Sequence, residues 1–219
     1  MTQRNALLKR LQDGDGRGEE LAYWDEELAR EGATLLAARA VAVAALAEGA
    51  GAAHAGLSGG RERFALAYLP RFAEAWPPGR IAVANEADIA GALHERLQSS
   101  RGRDIAAGVT LIGPHRDDLA MTLGGEPASA FASRGQQRTA ALALRLAEAR
   151  LLFQRTRERP VLLLDDVLSE LDEARRASVL AAVDADQVVI TSPDPDRFDA
   201  AYVASAQLWR VDAGAAVRG

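Results

Sequence analysis

The stretch RPVLLLDDVLSELD, residues 159–172, constrains the fold more than any other part of this 219-residue chain. Val161 to Leu164 is a run of four aliphatic residues closed by Asp165 and Asp166. A short unbroken apolar run of this kind predicts a strand buried on both faces, as in a parallel sheet. A helical pattern follows from about Ser169 to Val183, and QVVITS, residues 187–192, is a second buried strand. Apolar strands alternating with helices predict an α/β arrangement whose sheet is largely parallel and covered on its faces. In open α/β sheets ligands collect beyond the carboxyl ends of the strands, where Asp165 and Asp166 emerge. One of these carboxylates can hold Mg2+, directly or through its water, while the other polarises an attacking water. The competing reading is that the two acids only close a turn between strand and helix. Ser169 and Asp172 fit the cap and third position of the next helix, a capping box with Asp in place of Glu.

A second phosphate-directed element lies upstream in FASRGQQRT, residues 131–139. Ser133 is placed to cap a helix and Gln136 to close the capping box, and Gly135 lets the backbone approach a bulky anion. Free N–H groups at a helix start, flanked by Arg134 and Arg138, suit a phosphate. A good helix cap alone would explain the same residues.

The two halves of the chain differ in rhythm. Residues 1–108 read as a mainly helical, stalk-like subdomain. Leu21, Trp24, Leu28, Leu35, Ala42 and Leu46 mark an apolar helical stripe, which Gly49, Gly51 and Gly56, then Ser58-Gly59-Gly60, are expected to end. RFALAYL, residues 63–69, alternates like a strand, and a second amphipathic helix runs from Asn85 to about Ser99. SSRGRD, residues 99–104, reads as an exposed basic loop and the boundary. Residues 109–219 form the second domain: strands at VTLIGPH and DDLAMTL, a Gly124-Gly125 turn into a short strand, a helix over about 134–155, and a last strand at AQLWRV.

Charge and composition narrow the function classes. The formal net charge of -5 excludes a surface that is basic all over, so any nucleic-acid contact must be a local patch. Arg155, Arg157 and Arg159 form one candidate, with a solvated loop as the plainer account. The absence of cysteine excludes disulfides and thiolate metal sites. The N-terminal MTQRNALLKRLQ lacks the apolar region of a signal peptide. The strongest apolar stretch, 33–47, is short for a bilayer and carries Arg39, so no membrane helix is expected and the reading is of a soluble cytoplasmic protein. All but Lys9 of the 26 basic residues are arginine. A P-loop, G-x-x-x-x-G-K-[ST], needs a lysine after a glycine loop, and Lys9 sits in NALLKRLQ with none before it. The sequence therefore holds no Walker A motif.

Taken together, ASRGQQRT, VLLLDD, SELD, TLIGPHRDDL (residues 110–119) and QRNALLK (residues 3–9) resemble the second half of an ABC-type ATPase head, and more closely the RecF family of recombinational DNA-repair proteins. The resemblance implies an α/β fold in which a helical stalk-like subdomain joins the C-terminal lobe of an ABC-type head, a partial P-loop NTPase sheet. Asp165 would match the Walker B acid that supports Mg2+, and Asp166 the adjacent catalytic carboxylate. Ser133, Arg134, Gly135 and Gln136 would match the signature that touches ATP held by a partner subunit, and Ser169 and Asp172 the D-loop. Ser192 falls at the switch position, where many such heads carry His. The intact family protein would be a Mg2+-dependent ATPase that binds single- and double-stranded DNA at gaps. It would dimerise with ATP and act with recombination mediator proteins and recombinase. Because the family's Walker A precedes the stalk, the chain is expected to be part of a longer protein and inactive alone. A non-catalytic interaction module with a degenerate ATPase lobe is the alternative. A third reading is a Mg2+-dependent phosphohydrolase built on Asp165 and Asp166, or on Asp194 and Asp196. His115, beside Asp117 and Asp118, reads as a hydrogen-bonding loop residue ahead of a general base or metal ligand.

Overall fold

A computed structural model of the chain describes every residue except 74, 75, 77, 78, 169, 170, 172, 184, 195 and 197, and every side chain of the remainder except those of Ala174 and Ala182. The chain divides into two compact units, Met1–Leu151 and Leu152–Gly219.

In the first unit, α1 (Thr2–Gln12) leads to α2 (Glu20–Ser58), a single 39-residue helix. Its core face is Leu21, Asp25, Ala29, Gly32, Ala33, Leu36 and Ala40. The expected stripe is thus displaced by about one residue: Leu35 is exposed and Leu36 buried. The displaced face is built from small side chains, which let the neighbouring helix come close. A Cβ added at Gly32 would stand 2.9 Å from Leu93 Cδ2. The helix also passes through Gly49 and Gly51 instead of ending there. An interior glycine costs about 1 kcal/mol relative to alanine, but at Gly49 it admits close packing, since a Cβ would lie 3.2 Å from that of Ala147. Gly59, at φ 66°, ends the helix in the left-handed region, within the Ser58-Gly59-Gly60 stretch expected to stop it. By length and composition alone α2 could cross a membrane, a result the shorter stretch read from sequence did not anticipate. Here its Ala29, Ala33, Leu36 and Ala40 pack in a cluster with Phe72, Ile81, Ile89, Leu93, Leu97 and Ile112.

β1 (Phe64–Leu69) pairs antiparallel with β2 (Asp118–Leu123), from Phe64↔Leu123 to Leu69↔Asp118. Between them lie α3 (Arg80–Val83) and α4 (Glu86–Ala107). Asn85 caps α4 by accepting the Asp88 N–H at 2.8 Å. The helix runs through SSRGRD, which is therefore no loop: Ser100 and Asp104 are buried. VTLIGPH is not a strand either, because side chains take its backbone donors. Asn5 accepts the Thr110 N–H at 2.9 Å and Asp104 the Leu111 N–H at 3.1 Å. Gly124 and Gly125, at φ 60° and 94°, turn β2 into β3 (Glu126–Pro127). α5 (Ala128–Phe131) and α6 (Arg134–Thr156) follow. Phe64, Leu66 and Leu123 cluster with Ala50, Ala140 and Ala147. The β1–β2 ladder crosses the boundary expected at residue 108, because the strand read into the stalk half pairs with one from the other half.

In the second unit, β4 (Leu162–Asp165) and β5 (Val188–Thr191) form a parallel pair, and α7 (Glu173–Ala182) lies between them in sequence. Leu164, Leu168, Leu171 and Val179 are buried. Leu163, however, is 69% exposed and Val161 54%, so only one face of β4 is covered, not the two expected. α8 (Ala200–Ser205) precedes a hairpin of β6 (Trp209–Asp212) and β7 (Ala215–Arg218). The described strands thus form three separate sheets, one parallel pair and two antiparallel ones, not the largely parallel sheet expected.

Candidate functional site

Ser133 begins α6 as the sequence reading requires. Gln136 N donates to Ser133 Oγ at 3.3 Å, and Ser133 N donates to Gln136 Oε1 at 2.6 Å. This reciprocal box satisfies two of the donors that a helix start leaves open. Gln136 Nε2 also donates to Glu62 Oε1 at 2.6 Å, and Thr139 Oγ1 donates to the Gly135 carbonyl at 2.9 Å. Ser133 and Arg134 are exposed, so the helix start sits on an accessible rim.

Asp165 and Asp166 emerge at the carboxyl end of β4, and both are exposed. A residue outside the sequence reading joins them: Thr191, the last residue of β5 and the register partner of Asp165. Thr191 Oγ1 donates to Asp165 Oδ1 at 2.5 Å and accepts the Asp166 N–H at 3.0 Å. One hydroxyl thus holds the Asp165 carboxylate and the Asp166 backbone. Asp166 adopts φ 51°, a left-handed conformation that Asp tolerates better than most residues, and the chain turns sharply there. The sequence signal for Thr191 was its place at the end of an apolar strand, legible only once that strand's parallel partner is known.

No group of three or more His, Asp or Glu side chains fit to hold a metal occurs among the described residues. Mg2+ takes one or two protein carboxylates and fills its octahedron with water and phosphate oxygens. Asp165, exposed and oriented by Thr191, can serve as such a ligand.

Ser169 and Asp172, the residues expected to match a D-loop, lie outside the described residues. Ser192, expected at a switch position, accepts the Asp194 N–H at 3.2 Å and donates to the Asp194 carbonyl at 3.1 Å. Asp194 Oδ1 accepts the Asp196 N–H at 3.3 Å, a turn-forming role. His115 Nε2 lies 3.0 Å from the Thr110 carbonyl, the loop bond expected of it. Asp117, by contrast, is a hub: it accepts the Tyr68 hydroxyl at 2.5 Å and the Arg71 N–H at 2.9 Å, and its side chain is 2% exposed. Arg159 pairs with Asp186 at 3.5 Å and lies over the Phe153 ring, while Arg155 and Arg157 are exposed.

Comparison with known proteins covers almost the whole chain. The DNA replication and repair protein RecF of Roseiflexus castenholzii is 43% identical over 218 residues, 97% of this chain and 54% of that protein. RecF of Chloroflexus aurantiacus is 43% identical over 201 residues, 89% of this chain and 49% of that protein. A solved structure of the recombination mediator protein RecF with ATP, in the RecFOR pathway, superposes with a TM-score of 0.82 at 29% identity, covering 99% of this chain and 55% of the solved one. This is a RecF-family chain. No protein-family model matches it. The RecF-family chain spans about half the length of the curated relatives it matches. Its mixed helix and sheet match the RecF structures, consistent with an ATPase lobe.

Proposed function

We propose that this RecF-family chain supplies the signature and Walker B portion of an ABC-type ATPase head acting in recombinational DNA repair. In this reading Asp165 supports Mg2+ and Asp166 orients the attacking water. Ser133, Arg134, Gly135 and Gln136 meet the terminal phosphate of ATP bound by a second protomer, so that ATP joins two copies. Ser169 and Asp172 act as D-loop residues, and Ser192 stands at the switch position. A Walker A segment, which this sequence does not contain, provides the phosphate cradle in the intact protein. That protein binds single- and double-stranded DNA at gaps in the cytoplasm and hands the site on to mediator proteins and recombinase.

The observation that carries the reading is the Thr191 hydroxyl holding both acids at the carboxyl end of a parallel strand pair. That is where α/β sheets place their ligands. An isolated turn would not need a side chain from the adjacent strand to hold the Asp165 carboxylate and the Asp166 backbone together.

The test joins the N-terminal half of the Roseiflexus relative ahead of this chain and follows ATP hydrolysis and ATP-dependent association. Replacing Asp166→Asn removes the water-orienting carboxylate and should lower kcat at least about 100-fold, within the range for a lost general base. Association with ATP should persist. An Asp166→Asn chimera that hydrolyses ATP at the parent rate overturns the assignment. A parent chimera that neither binds nor hydrolyses ATP favours the interaction-module alternative.

A further inference from the structure

The loop 110–117 is bound at both ends by buried charge. At its start, Arg4 Nη1 donates to Thr110 Oγ1 at 2.7 Å and to Asp104 Oδ2 at 2.8 Å, while Asp104 and Asn5 take the first backbone donors. At its end, Asp117 is held by Tyr68 and the Arg71 backbone, with Arg39 Nη1 at 3.7 Å. In the middle, Arg39 Nη1 donates to the Pro114 carbonyl at 2.5 Å. Ile112, Gly113 and Pro114 are buried. Surface loops ordinarily lack such bracing, and buried charge is expensive to maintain.

This scaffold holds the Arg116 N–H on the Gly113 carbonyl at 2.9 Å and leaves its guanidinium exposed, with no hydrogen-bond or ion-pair partner among the described residues. The half-exposed Arg39 is tied to the same loop, and so the surface here carries two guanidinium groups. The acidic neighbour Asp118 turns one oxygen to the Leu119 N–H. A guanidinium on a rigid backbone meets a phosphate with little ordering cost, and its planar fork matches two phosphate oxygens.

We propose that loop 110–117 is a preformed phosphate-contact element in which Arg116 touches a phosphate of bound nucleic acid or nucleotide. It rests on the reading of the chain as part of a DNA-repair ATPase. The buried residues Arg4, Asp104 and Asp117 position the loop and do not touch the ligand.

The test titrates a labelled DNA carrying a single-strand/double-strand junction against the 219-residue chain, and labelled ATP against the chimera that supplies the Walker A segment, each at several salt concentrations. If the phosphate is that of DNA, Arg116→Ala weakens DNA binding about 3- to 10-fold at low salt and lowers the slope of log affinity against log salt by about one, with thermal stability unchanged. Arg116→Lys then retains most of the slope. If the phosphate is that of the nucleotide, the loss falls on ATP and DNA binding is untouched. Wild-type binding that Arg116→Ala leaves unchanged for both ligands overturns the proposal and leaves the ATPase reading standing. A wild-type chain that binds no DNA at low salt, beside a parent chimera that hydrolyses ATP at the same rate with Arg116→Ala, overturns it too and leaves the ATPase reading standing.

Discussion

Tyr68 shows how much one side chain here depends on its surroundings. Burial first, then the hydrogen bond to Asp117 and the charge of that carboxylate, push the phenol well above the ordinary tyrosine value of 10.0, with Arg39 pulling the other way. The folded chain therefore keeps this proton at a pH where the unfolded chain has lost it. Its contribution to stability is complete below about pH 10 and declines as pH rises beyond that. Tyr68→Phe removes the phenol donor from a buried carboxylate and should cost about 1–3 kcal/mol near neutral pH. It should also flatten the loss of stability between about pH 10 and 11, both read by urea denaturation. An unaltered alkaline decline in the variant would show that the proton lies elsewhere. The capping residues Ser133 and Gln136 were legible because a capping box is local, spanning three residues. Asp117 and Thr191 were not, since their partners come from strands far off in the chain.

Helix α2 separates what periodicity reveals from what it hides. The apolar recurrence marks a helix, but which face turns inward depends on how closely its neighbours approach. Two glycines test that account. Gly56 is exposed, with nothing within 4 Å of an added Cβ, so Gly56→Ala should gain about 0.5–1 kcal/mol from helix propensity. Gly32→Ala has the same propensity gain, yet its Cβ would press on Leu93, which is fully buried and cannot swing aside. It should lower thermal stability, by up to about 1–3 kcal/mol as for other overpacked cores. Opposite signs in a melting experiment support close helix packing at Gly32, and equal gains contradict it. The same logic explains α4, read as ending near Ser99. Its last two turns carry polar and basic residues that sequence reading assigns to solvent, and the structure places Ser100 and Asp104 inside.

For the first compact unit as a whole, the decisive feature is an ionic network joining residues up to 100 positions apart. Arg4 Nε binds Asp25 at 2.8 Å, Arg4 Nη1 binds Asp104, and Arg101 Nε binds the second oxygen of Asp25 at 2.6 Å. Arg4, Asp25 and Asp104 are essentially without solvent contact. Arg4→Met would leave two carboxylates buried without their shared cation and should cost about 3–5 kcal/mol. Replacing all four charged residues, Arg4, Asp25, Arg101 and Asp104, with apolar ones of similar volume should cost much less. Equal losses in the single and quadruple variants, measured by chemical denaturation, would show that the network is not a charge-balanced unit. At this level the chain also meets its relatives: it follows RecF along almost all of its own length and about half of theirs.

The order of amino acids alone determined the local chemistry: the helix start at Ser133, the acidic pair after an aliphatic run, the strand at 63–69, the glycine turn at 124–125, and the absence of a P-loop lysine. Each of these is written within a few consecutive residues, so neighbour-to-neighbour geometry suffices. The tertiary structure decided which face of α2 is core, that SSRGRD is helix, that VTLIGPH is held by side chains instead of a sheet, and that Thr191 fixes the acids. Those outcomes depend on contacts between distant segments, whose energies outweigh the modest local preferences of the residues involved.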